Sequence, residues 1–116
     1  MTTKSPITTH ILDVARGKPA VGVAVRLEGL ETSNQWRLIG EGTTNADGRV
    51  TDLMQPGSLL AGQYRLIFAT ADYFAGQQIA AFYPQVTIEF SVAAPAEHYH
   101  VPLLLSPFGY STYRGS

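Results

Sequence analysis

The chain contains no cysteine, which excludes disulfide bonds, thiolate metal ligands and a thiol nucleophile. Such an absence fits a reducing compartment as well as an exported protein that needs no covalent staple. Charge is scarce too: 8 Lys+Arg stand against 9 Asp+Glu, with no basic cluster. A chain balanced in this way lacks the electrostatic footprint by which proteins hold phosphate backbones or anionic membranes, so neither nucleic acid nor a membrane is an expected partner. No apolar run approaches the ~20 residues of a membrane span, and residues 1–7 hold no apolar stretch of signal-peptide length. A cytoplasmic location is therefore the expectation, with a trimmed precursor left open.

What is present is apolar residues in short alternating runs. At 116 residues and 45% hydrophobic, the chain suits one compact domain over residues 1–116, able to bury roughly two thirds of its unfolded surface. β-Rich runs recur every ten residues or so, separated by turn chemistry, which is the pattern of a sandwich or barrel and not of βαβ units. Expected strands cover residues 8–14, 21–27, 35–43, 49–53, 63–69, 85–92 and 98–105. The second alternates Val21, Val23, Val25 and Leu27 against smaller or charged neighbours; the fifth carries Tyr64, Leu66 and Phe68 on one side. Asn45-Ala46-Asp47-Gly48 reads as a turn whose Asp-Gly pair tolerates positive φ, presenting Arg49 at the head of the next strand. One short helix is expected over 72–80, with Thr70 or Asp72 available to cap it and Pro84 closing the region. The fold class is all-β: two sheets packed face to face, about eight strands and one short helix.

The residues able to do chemistry are His10, Arg49, His98, His100 and the terminal Tyr113-Arg114-Gly115-Ser116. His98 and His100 share one face of a strand, their Cβ atoms on the order of 6.5 to 7 Å apart. Each candidate has a bland alternative: surface imidazoles on an edge strand, a hydrogen-bonded structural His10, a solvated Arg49, a Tyr113 and Arg114 that merely pack. Three histidines with a His-x-His pair also invite a zinc-activated water. Arg49 and Arg114 argue against a dication in the same site, and no Asp or Glu stands at an obvious supporting position. No Gly-x-Ser-x-Gly elbow, glycine-rich phosphate loop or His-Glu-x-x-His motif occurs.

Four separated segments, taken together, resemble the transthyretin-related 5-hydroxyisourate hydrolases of purine catabolism. They are Thr9-His10-Ile11-Leu12-Asp13, Asp47-Gly48-Arg49, Asp72-Tyr73-Phe74 leading to Phe82-Tyr83-Pro84, and His98 to Pro107 followed by Tyr110 to Ser116. The terminal tetrapeptide matches the enzymes' signature, whereas the hormone-carrying transthyretins are similar in fold but end differently. Tyr83 departs from the more usual Phe, and the loop from Met54 to Ala61 is individual. The resemblance implies a transthyretin-like β-sandwich assembled as a homotetramer, with sites in a channel between subunits. It implies His10, Arg49 and His100 as catalytic residues and Tyr113, Arg114, Gly115 and Ser116 as substrate-binding ones; His98 is not carried over. The implied reaction is metal-independent hydrolysis of 5-hydroxyisourate to 2-oxo-4-hydroxy-4-carboxy-5-ureidoimidazoline, with no cofactor. A transthyretin-like carrier of a small aromatic ligand is the competing class, and an inert structural sandwich the third.

Overall fold

The computed structural model describes residues 4–116. In chain order its elements are β1 (Ile7–Asp13), β2 (Lys18–Pro19), β3 (Ala24–Leu30), β4 (Trp36–Thr43), β5 (Arg49–Val50), β6 (Gly62–Phe68), α1 (Thr70–Ala75), β7 (Val86–Val92), β8 (Tyr99–Ser106) and β9 (Gly109–Thr112). One sheet runs β2-β1-β8-β9, with β5 also paired to β1; the other runs β4-β3-β6-β7. Every pairing is antiparallel except β1 with β8, which lie parallel at the centre of the first sheet.

The core sits between the sheets because the alternating runs all turn their apolar side inward. Ile7 and Ile11 of β1 and Tyr99, Val101, Leu103 and Leu105 of β8 belong to the same buried cluster as Val25 and Leu27 of β3, Leu66 and Phe68 of β6, and Val86 and Ile88 of β7. Two polar residues share that inner side with their bonds satisfied. The Thr9 hydroxyl donates to the Val101 carbonyl at 2.7 Å. The buried Asp13 carboxylate accepts the Arg16 N–H at 3.1 Å and the Tyr73 hydroxyl at 2.7 Å. Burial, then the hydrogen bond to this carboxylate, raises the Tyr73 pKa above its ordinary value, so the phenol stays a donor and ties α1 to β1.

The expected architecture is present, with corrections in its details. The described residues form nine strands, two more than the seven placed from the sequence and close to the eight or so expected in all. The added ones are β2, which pairs Lys18 and Pro19 with the end of β1, and β9, which returns from β8 through Pro107-Phe108. The second expected strand begins at Ala24 and not at Val21: Gly22 at φ 83° breaks the extended chain, and Val21 is half exposed while Val23 is buried. The strand expected over 49–53 keeps only two residues, because the chain leaves the sheet to bury Leu53 and to donate the Met54 N–H to the Ser5 hydroxyl.

The helix starts two residues early, at Thr70, and ends at Ala75. Neither expected cap serves. Ala69 stands at the N-cap without a side-chain bond, and Thr70 lies inside the helix with its hydroxyl buried and unpartnered. Gln78, at φ 59°, ends the region as the Ile79 N–H closes onto the Phe74 carbonyl. Phe74, 1% exposed, is what holds so short a helix in place.

Candidate functional site

Alternation sends Thr8, His10 and Leu12 to the outer face of the first sheet while Ile7, Thr9, Ile11 and Asp13 point inward. The parallel register sets Thr8 beside His100 and His10 beside Pro102, and the antiparallel pairing with β5 sets His10 opposite Arg49. Residues remote in sequence thus meet on one outer face. The His10 and His100 rings lie 6.5 Å apart between centroids at 24°. His98, just before β8, stacks on His100 at 6.4 Å and 20°. His100 therefore stands between two other imidazoles.

The turn before β5 places Arg49. Gly48 adopts φ 76°, and a Cβ there would lie 2.6 Å from the Ile11 carbonyl oxygen, so the position admits glycine for its conformation and for its space. Asn45 Oδ1 accepts the N–H groups of Asp47 and Arg49 at 2.9 and 3.0 Å, which locks the turn from its side-chain end. The Ile11 N–H donates to the Gly48 carbonyl at 2.8 Å and docks the turn on β1.

These charges act on His100. Its pKa is lowered from the ordinary imidazole value, first by partial burial and then by the positive charge of Arg49, with further electrostatic contributions from the neighbouring His10 and His98; its backbone hydrogen bond with Thr8 pulls the other way. Burial and the Arg49 charge both favour the neutral form of His100, a proton acceptor. Its Nδ1 is 2.8 Å from the Thr8 hydroxyl, and His98 Nε2 is 3.1 Å from the same oxygen. A cavity of about 620 Å³ opens here, lined by Thr8, Arg49, Thr51, His98, His100 and Ser116, together with Lys4. Among the described residues no group of three or more His, Asp or Glu is arranged to hold a metal ion.

The tail divides. The Gly115 N–H donates to the His100 carbonyl at 2.8 Å, and a Cβ at Gly115 would lie 2.6 Å from His100 Cδ2, so only glycine lets the tail pass this close to the imidazole. Ser116 follows into the cavity wall. Arg114 turns elsewhere: its guanidinium donates to Glu97 Oε1 at 2.9 Å and to the His98 carbonyl at 3.3 Å, and it covers the Tyr99 ring at 4.3 Å. Tyr113 and Arg114 line a separate hollow of about 310 Å³ with Phe90, Tyr99 and Val101 among its walls. Of the residues singled out in the sequence, one chain brings together His10, Arg49, His100, Gly115 and Ser116 and sets Tyr113 and Arg114 to the side. Thr8 was missed as a member of the group, although its two-residue spacing from His10 already placed both on one strand face.

A sandwich of this topology, with its titratable groups gathered on the outer face around the one parallel strand pair, defines a transthyretin-like class of protein. The chain belongs to the HIUase/Transthyretin family, whose model matches residues 7–115. It is 49% identical over 114 residues to the 5-hydroxyisourate hydrolase of Deinococcus radiodurans, covering 95% of each chain. It is 44% identical over 116 residues to that of Mus musculus, covering 99% of this chain and 98% of the mouse protein. Among solved structures it is similar to sea bream transthyretin in complex with thyroxine, with TM-score 0.90 and 34% identity over 96% of this chain and 95% of that one. It is also similar to Klebsiella pneumoniae 5-hydroxyisourate hydrolase, with TM-score 0.81 and 36% identity over 95% of this chain and 98% of the other.

Proposed function

We propose that this chain hydrolyses 5-hydroxyisourate, opening its ring to 2-oxo-4-hydroxy-4-carboxy-5-ureidoimidazoline. The observation that carries the reading is the meeting of His10, Arg49 and His100 on one outer sheet face, where burial and the nearby cation lower the His100 pKa. Relatives named for this hydrolysis, at 44% and 49% identity, supply the substrate.

The substrate is a flat, amide-rich ring, so its opening needs a nucleophilic water and a stabilised oxyanion. His100 takes a proton from the water as the oxygen bonds to the ring carbonyl carbon, a role worth roughly 10²- to 10⁴-fold. His10 orients the same water from the neighbouring position. Arg49 donates to the carbonyl oxygen as it gains charge, worth roughly 3 to 4 kcal/mol for well-placed donors. The carbon–nitrogen bond then breaks, and the imidazolium of His100 returns its proton to the leaving nitrogen. Ser116 and the Gly115 backbone border the ring.

Tyr113 and Arg114 join a site when subunits associate, as in a homotetramer with sites at subunit contacts. The outer face supports such association, because the half-buried Leu12 and Leu104 lie beside the polar group on the same side of the sheet. The decisive experiment follows the ultraviolet absorbance of freshly generated 5-hydroxyisourate, whose decay accelerates in proportion to added protein. A decay rate indifferent to protein would remove the hydrolase reading.

The second reading, a carrier of a small aromatic ligand, is favoured by the likeness to thyroxine-bound transthyretin. It predicts saturable binding of such a ligand by calorimetry with no acceleration of the decay.

A further inference from the structure

We infer that Thr8 and His98 are positioning residues for His100, joined in a hydrogen-bonded chain that aims its Nε2 lone pair into the cavity. The inference rests on the hydrolase reading for its kinetic consequence, though not for the bonding itself. A threonine hydroxyl has one proton to give and lone pairs to receive. Thr8 Oγ1 is within bonding distance of His100 Nδ1, at 2.8 Å, and of His98 Nε2, at 3.1 Å. It can donate to only one of them, so the other ring must donate to it.

The two possible directions differ in what they leave at the cavity. If Thr8 donated to His100, the remaining imidazole proton would sit on Nε2, and His100 could not accept a proton from water. If His100 donates through Nδ1, Thr8 passes its own proton toward His98, and Nε2 of His100 carries the lone pair. Arg49 favours the second direction, because an N–H dipole turned toward the cavity would point its positive end at the guanidinium that shares that wall. The ring is also confined on its Cδ2 edge, which Gly115 covers.

The chain is also built to stay in place. Thr8 is 7% exposed, so little of it meets solvent. His98, though exposed, has its carbonyl bound by Arg114. No charge leaves His100 along this chain. Thr8 and His98 choose its tautomer and hold its plane, as a hydrogen-bond partner does for any imidazole base.

The test reads the tautomer and the rate separately. In the wild-type protein with 15N-labelled histidine, His100 is expected to show a protonated Nδ1 and an unprotonated Nε2 at neutral pH. In Thr8→Val the signals shift toward the Nε2–H form, and kcat falls about tenfold while KM stays within about twofold. Thr8→Ser restores most of that loss. His98→Ala, at an exposed position where folding is not at stake, lowers kcat a few-fold, and His98→Gln, whose carbonyl can accept from Thr8, recovers part of it. A wild-type His100 protonated at Nε2 would overturn the inference, as would an unchanged kcat in both Thr8→Val and His98→Ala. If the wild-type protein failed to accelerate substrate decay, the hydrolase reading would fall, while the nitrogen spectra would still decide the hydrogen-bonded chain.

Discussion

The turn that carries Arg49 and the tail that carries Arg114 deliver the same cation by opposite means. At the turn the backbone is fixed by Gly48 and by the Asn45 side chain, and the guanidinium has no ion pair among the described residues. At the tail it is the guanidinium that is engaged, by Glu97, the His98 carbonyl and the Tyr99 ring. An arginine placed by its backbone keeps its planar donors for a ligand; one held by its own donors serves first as a clamp. Within one chain, then, Arg49 is placed through its backbone, while Arg114 is tied to the approach to β8 by its own guanidinium.

The comparison is broken most severely by deleting residues 113–116. Activity should fall below detection, with Tm lowered by only a few degrees, since the core lies elsewhere; calorimetry alongside the absorbance assay would check both. Unfolding on truncation would make the tail structural. Next comes Arg49→Lys, which keeps the charge and loses the fork. It should lower kcat about a hundredfold, and undiminished turnover would remove Arg49 from the mechanism.

The pH profile sharpens the same contrast. A base must be neutral to act, and burial and then the charge of Arg49 lower the His100 pKa from 6.5. Activity should therefore be level near neutrality and lose about tenfold per pH unit once below that lowered value. An acid limb of kcat/KM centred above pH 7 would speak against His100 as the base.

Gly48→Ala attacks the turn itself. The left-handed conformation alone costs about 1–2 kcal/mol for an alanine, and the clash with the Ile11 carbonyl adds to it, so Tm should drop by about 5 °C or more. The smallest effect is expected from Glu97→Gln, which loosens the clamp. Both partners are half exposed, so Tm should move by under about 3 °C. A larger fall would show the clamp to be part of the fold.

How much was legible in the sequence follows from the range of each interaction. The alternation of Tyr64, Leu66 and Phe68 gave a correct inner face, because burial imposes a period of two along a strand. Val21 misled for the same reason in reverse: it extends the period past Gly22, where the backbone has already turned. The two-residue strands β2 and β5 are defined by their partners and leave almost no pattern of their own.

At the site, residue types and strand alternation could nominate His10, Arg49 and His100 but could not make them meet, since the parallel β1–β8 register is a property of the whole sheet. The tail's signature was readable as a motif. The direction in which Arg114 points was not, because Glu97 and Tyr99 decide it through space.

That register has a kinetic meaning as well. Thr8 and His100 are 92 positions apart, so closing the loop between them is among the costliest entropic steps for this chain, and topologies dominated by such distant pairings fold slowly. No compact intermediate that lacks the central strand pair can possess the cavity. Regained turnover during refolding should therefore report the docking of β8 on β1, and lag behind any probe of the hairpin formed by β6 and β7.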